Sequence, residues 1–172
     1  MLNHLLAVTT LLGLVACLGA EEPKLEEYRS KEGKYLAKFP GKPKEVTLDA
    51  DLLQNGVIAT KVAELKVESG AYIIMHHDFK ENITRKEALF LLKLSRDSAV
   101  KNGKVIDESE DSFGVQKSPM RIITCEKYNT FFHHEMIFVG DRMYEIIIMS
   151  KDKKTLDSEQ IRKFIDSFAL TK

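Results

Sequence analysis

Two histidine doublets are the residues of this chain best suited to chemistry: His76-His77, followed by Asp78, and His133-His134, followed by Glu135. Imidazole binds Zn, Cu and Ni, and a metal centre needs three or four ligands converging within a few ångströms. Both doublets fall in β-rich runs, where adjacent side chains point to opposite faces, so each can offer one imidazole to any one site. His77 and His133, one from each doublet, are the candidate ligands. Two ligands do not complete a centre, and the spacings that make metal motifs specific, HExxH or paired cysteines, are missing from the sequence. The sequence therefore predicts no metal and implies no cofactor. One histidine of each doublet is expected to be a part-buried sheet residue and the other a solvated one.

No other set of residues specifies a reaction, and no catalytic residue is assigned. The sequence has no GxSxG elbow and no phosphate-cradling glycine loop, and the acidic run Asp107-Glu108-Ser109-Glu110-Asp111 lacks the spacing of a calcium loop. That run reads as a solvated edge. Cys125 lies in the alternating segment Met120 to Cys125, where a lone cysteine behaves as a small buried hydrophobe.

The elements that would position these residues can be read from periodicity. Lys34 to Phe39 alternates and stops at Pro40-Gly41-Lys42-Pro43, because proline removes a ladder donor. Val46 to Leu53 is extended or irregular. Asn55-Gly56 signals a hairpin into a strand over Val57 to Leu65, and a turn at Ser69-Gly70 leads to a strand through Tyr72 to Met75. Thr84-Arg85-Lys86-Glu87 is a capping box, opening a helix whose Ala88, Leu91, Leu92, Ser95 and Ala99 share a face that Leu89 and Leu94 widen; Asn102-Gly103 stops it. Val105 to Phe113 and Val115 to Lys127 are extended. Tyr128 to Ser150 is a hairpin turning at Gly140-Asp141, and its almost wholly apolar second run, Met143 to Met149, belongs in the middle of a sheet covered on both faces. After a polar loop over Lys151 to Lys154, Asp157 or Ser158 caps a final helix with Ile161, Phe164, Ile165 and Phe168 on one side. This order gives an α+β domain, a mainly antiparallel sheet flanked by two principal helices.

Composition bounds the rest. The 26 basic and 26 acidic residues cancel, which argues against nucleic acid as a partner. Residues 1–20 read as a signal peptide with an apolar stretch from Leu5 to Leu18, residues 21–27 as a tether, and residues 28–172 as a single domain. Leu14-Val15-Ala16-Cys17 resembles the lipobox of bacterial lipoproteins, which implies acylation of Cys17 and a membrane anchor. Cleavage after Gly19 or Ala20, discarding Cys17, is the alternative. Either way Cys125 keeps no partner for an intramolecular disulfide.

The segment Gly33-Lys34-Tyr35-Leu36-Ala37-Lys38-Phe39-Pro40-Gly41-Lys42-Pro43, with the closing Phe164-Ile165-Asp166-Ser167-Phe168, resembles the PsbP-like superfamily, in its uncharacterised exported bacterial branch. The resemblance covers most of the mature chain and implies an α/β/α sandwich. It carries no functional residues across. The expectation is an exported, lipid-anchored noncatalytic domain of the cell envelope or periplasm, or a secreted one, binding a protein partner or envelope component. The rival is an enzyme or metal-binding protein built on the His76/His77 and His133/His134 doublets, which a pocket holding two histidines and a carboxylate would favour.

Overall fold

The run Met143 to Met149 forms a strand that is paired along both of its edges. The computed structural model describes residues 24–48, 57–79 and 83–172. Its elements run β1 (Glu26–Ser30), β2 (Tyr35–Phe39), β3 (Lys44–Leu48), β4 (Val57–Val67), β5 (Gly70–Phe79), α1 (Arg85–Val100), β6 (Lys104–Phe113), β7 (Ser118–Lys127), β8 (Thr130–Val139), β9 (Arg142–Ser150), α2 (Lys153–Leu156), α3 (Glu159–Asp166) and β10 (Ala169–Leu170). Seven strands form an antiparallel sheet in the order β3-β4-β5-β9-β8-β7-β6, with β9 fourth of seven. A second sheet, β1-β2-β10, is also antiparallel. The expected α+β class and central hairpin hold. The Asn55-Gly56 turn signal and the N-terminal segment with Cys17 lie outside the described residues.

Turn chemistry sets the registers. Val139 pairs with Arg142 across Gly140-Asp141, and positive φ at Gly140 alone is the pattern of a type II′ turn with glycine first. Tyr128 and Asn129 both take positive φ between Lys127 and Thr130, which is the type I′ pattern and joins β7 to β8. At Gly70 a Cβ would stand 1.8 Å from the Met149 carbonyl oxygen, so only glycine lets β5 approach β9 there.

Alternation along β9 divides the core in two. Tyr144, Ile146 and Ile148 face the small sheet and α3, in a core with Tyr35, Phe39, Ile74, Ile161 and Phe164. Each such side chain contributes roughly 1.5–3 kcal/mol by leaving water. Phe164 stacks edge-on against both Phe39 and Tyr72, at centroid distances of 4.9 and 5.1 Å. The Tyr144 hydroxyl donates to the Gly33 carbonyl at 2.9 Å, tying the two sheets together.

The opposite face is covered differently from expectation. Met143, Met136, Phe138, Ile123, Cys125 and Phe79 pack under α1, but α1 lies mainly over β7 and β8. Ile73, Met75, Ile147 and Met149 on the β5 and β9 side are only half-buried. The expectation that the central strand is covered on both faces holds fully for one face and in part for the other. Leu89, expected on the helix's packed face, is 46% exposed, because α1 meets the sheet through a narrow stripe centred on Ala88 and Leu92. Sequence reading also leaves out β1, β10 and α2, which are short elements formed by tertiary pairing or a local Asp152 cap.

Candidate functional site

The half-covered face forms a groove of about 680 Å³ beside α1. Its walls are mainly apolar: Leu91 and Leu94 from the helix, Phe132 from β8, Ile73 from β5, and Ile147 and Met149 from β9. Thr60, His77, Ser95, His134 and Glu145 join them as a polar cluster.

The register brings that cluster together. Glu145 lies opposite Met75 on β5 and Met136 on β8, so His77 and His134, each two residues along from those partners, project to the same face as the carboxylate. His134 Nε2 lies 2.7 Å from Glu145 Oε2, and His77 Nε2 lies 3.3 Å from Glu145 Oε1. Both Nε2 atoms are buried. They sit at ion-pair distance from the carboxylate, yet neither makes a hydrogen bond of good geometry. Ser95 donates its hydroxyl to Glu145 Oε1 at 2.9 Å, and Thr60 Oγ1 stands 2.8 Å from His77 Nδ1. Burial alone would raise the Glu145 pKa; the imidazoles of His134 and His77 outweigh it and hold the carboxyl well below the usual range. A buried carboxylate remains ionised here because it is paired.

The doublets therefore split differently from the pairing expected of them. His77 and His134 share the groove face, whereas His133 is on the other face, 3.2 Å from Glu135 and 3.4 Å from Thr124 Oγ1. The candidate pair His77 and His133 is not brought together, because β8 turns its even-numbered histidine toward α1. His76 is buried with Tyr35 and Tyr144 in the first core. Among the described residues no group of three or more His, Cys, Asp or Glu side chains is arranged as metal ligands. The groove histidines flank one carboxylate.

Glu145, Thr60 and Ser95 are the site residues that sequence reasoning missed. Glu145 is the single charged residue within the run Met143 to Met149, and Ser95 is the polar member of the α1 stripe; both are local contradictions of the hydrophobic pattern, which is where sites tend to lie. Cys125 also lines the groove, and burial pushes its thiol pKa up, which makes it a poor nucleophile.

The helix is held over the site by charge. Arg96 forks onto Glu108 at 2.9 and 2.6 Å, and Glu108 also takes Arg121 at 3.2 Å, fastening α1 to β6 and β7. Glu110 pairs with Arg121 as well. The acidic run of β6 thus lies on an exposed edge strand, with two of its carboxylates engaged by arginine.

The fold has a counterpart among solved structures. The solution structure of cyanobacterial PsbP (CyanoP) from Synechocystis sp. PCC 6803 superposes with a TM-score of 0.55 at 10% identity, over 91% of this chain and 98% of that one. The chain has a PsbP-like fold. At that identity the likeness concerns architecture alone, so a PsbP-like fold assigns no role to the groove or its histidines. No family model and no curated relative matches the sequence.

Proposed function

We propose that this is a noncatalytic binding domain of the cell envelope, exported and anchored through lipidated Cys17, whose groove takes an amphipathic envelope component of small-molecule size. The observation that carries the reading is the groove itself. Its volume, about 680 Å³, is within the range of roughly 300–1,000 Å³ typical of small-molecule sites, and its apolar walls with a few convergent polar groups match their usual make-up. The polar groups are already committed to one another: Ser95 to Glu145, Thr60 to His77, and both imidazoles to the carboxylate. That arrangement supports positioning and recognition more than proton transfer, which requires a base within reach of a substrate proton.

A titration with the neutral dye Nile red tests the groove. Saturable fluorescence enhancement that Ile147→Arg abolishes, in a protein that still melts cooperatively, is the expected result. Equal dye binding by that variant would refute the site. Anchoring is tested separately, since the tether and Cys17 are outside the described residues: Cys17→Ser should shift the protein from membrane to soluble or uncleaved fractions. An unmodified mature chain beginning at Ala20 or Glu21 would make it a secreted protein instead.

The rival reading, an enzyme or metal-binding protein using the histidines, draws on one observation, the presence of two imidazoles and a carboxylate in one groove. Its decisive measurement is the zinc titration described in the Discussion.

A further inference from the structure

The groove is long, and Glu145 and Lys127, which both line it, stand far apart along it. Glu145 is paired with Met136 of β8, whereas Lys127 is paired with Thr130, six positions along the same strand. At about 3.3 Å per residue the two are roughly 20 Å apart along the strand direction. Between them run Phe132 from β8 and Ile147 and Met149 from β9, all apolar. One end is the buried polar cluster. The other opens where α1 stops, since a Cβ added at Gly103 would come within 3.3 Å of Lys127 Cβ.

Lys127 is placed to meet a head group. Its Nζ lies over the Tyr128 ring at 5.5 Å and, among the described residues, enters no salt bridge. Its charge is felt one alternation inward at Cys125, where it works against the burial that raises the thiol pKa. Glu126 alternates to the other face, opposite Lys104, and Glu64, on the groove face beyond Ile73, is matched by Lys66 at 3.4 Å. Lys101, exposed at the C-terminal cap of α1, adds a second cation near this end. The mouth is therefore locally positive in a chain whose charges cancel overall. The protonation of the imidazoles does not enter: His134, the nearer one, is four positions from Thr130, about 13 Å, against a Debye length of about 8 Å for a head held in water at the mouth.

We infer that the groove binds single-chain amphiphiles with an anionic head, the head at Lys127 and the chain laid along Phe132, Met149 and Ile147 toward the polar cluster. This rests on the groove being a binding site, and adds the sign of the ligand's charge and the direction in which it lies. The chain supplies affinity as its methylenes leave water. The mouth supplies discrimination, because an ammonium head on the same chain would meet Lys127 with like charge.

Nile red bound to the full-length protein is displaced at pH 7.5 and about 0.15 M salt, below micellar concentrations, by dodecanoate or by dodecylammonium. Dodecanoate should compete at a concentration lower by roughly fivefold or more, the scale of an exposed ion pair counted once as attraction and once as repulsion. Lys127→Gln should erase most of that preference and Lys127→Glu should reverse it, in proteins that still melt cooperatively. Lys153→Gln, on α2 at the opposite face of the sheet, removes the same charge from the chain and should leave the preference alone. Equal competition by the two ions in the parent, a preference that survives Lys127→Glu, or an equal shift in Lys153→Gln overturns the inference while normal Nile red binding keeps the groove reading intact. Failure of Nile red to bind overturns both.

Discussion

His134 Nε2 stands 2.7 Å from Glu145 Oε2 across two neighbouring strands, and His77 approaches the same carboxylate from the strand on the other side. A buried ionic group of this kind is held by mutual need: removing one member leaves the others desolvated and unpaired. Glu145→Leu should therefore lower unfolding free energy by about 3–5 kcal/mol in urea titrations. Replacing His77, His134 and Glu145 together by apolar residues of similar size should recover most of that loss. A triple variant as unstable as the single one would show that shape, not charge pairing, dominates the cluster.

The two faces of β9 should respond differently to the same insult. Ile148 is 1% exposed in the core shared with Phe164 and Tyr72, whereas its neighbour Ile147 is half-buried in the groove wall. An unpaired aspartate at Ile148 is expected to abolish cooperative folding. At Ile147 the carboxylate can reach water, so Ile147→Asp should fold with a modestly lowered midpoint and lose groove binding. Circular-dichroism melts of both variants check this, and equal loss of folding would mean that the groove side of β9 is as closed as the other.

How much of this was legible in the sequence depended on the range of the forces involved. The Thr84–Glu87 capping box forms as its spacing requires, with both reciprocal hydrogen bonds present, and Gly140-Asp141 turns where its neighbours' alternation demands. Those are local rules. The strand over Tyr35 to Phe39 was visible for the same reason, but its partners β1 and β10 come from opposite ends of the described chain and carry little pattern of their own. The site was half legible. Period-two alternation limits each doublet to one groove histidine, yet which one faces α1 is fixed by the pairing of β8 with β9, a register that the doublet itself does not encode. Glu145 was overlooked because a charged residue in an apolar run is averaged away when the run is read as a whole.

The zinc question has a direct answer. A metal that binds the folded state raises its stability by mass action, about 2.7 kcal/mol at a hundredfold excess over Kd. With His77 and His133 on opposite faces and the groove imidazoles turned onto Glu145, zinc or chelator should leave the melting midpoint in place. A zinc-dependent rise that vanishes in His77→Ala or His134→Ala would promote the metalloprotein reading over the binding domain.

His76 makes the fold sensitive to acid in a window that can be named. It is 3% exposed between the rings of Tyr35 and Tyr144, and burial, reinforced by the Arg142 guanidinium, pushes its pKa down to about 4 from the ordinary 6.5. Between those two values the unfolded chain binds a proton at this residue that the folded chain does not, so stability falls as pH falls from about 6.5 and the loss is complete near pH 4. The gap corresponds to on the order of 3 kcal/mol. Glu145 acts in the same direction further down: its folded pKa is depressed, so the stability it contributes is present above the unfolded carboxylate range and lost as pH drops through and below it. His76→Leu removes only the first contribution. Urea midpoints measured at pH 4.5, 5.5, 6.5 and 7.5 should fall less steeply toward acid in the variant than in the parent, and the difference between the two proteins isolates His76 from the other imidazoles. Parallel curves would show that His76 accepts its proton in the folded state as readily as in the unfolded one.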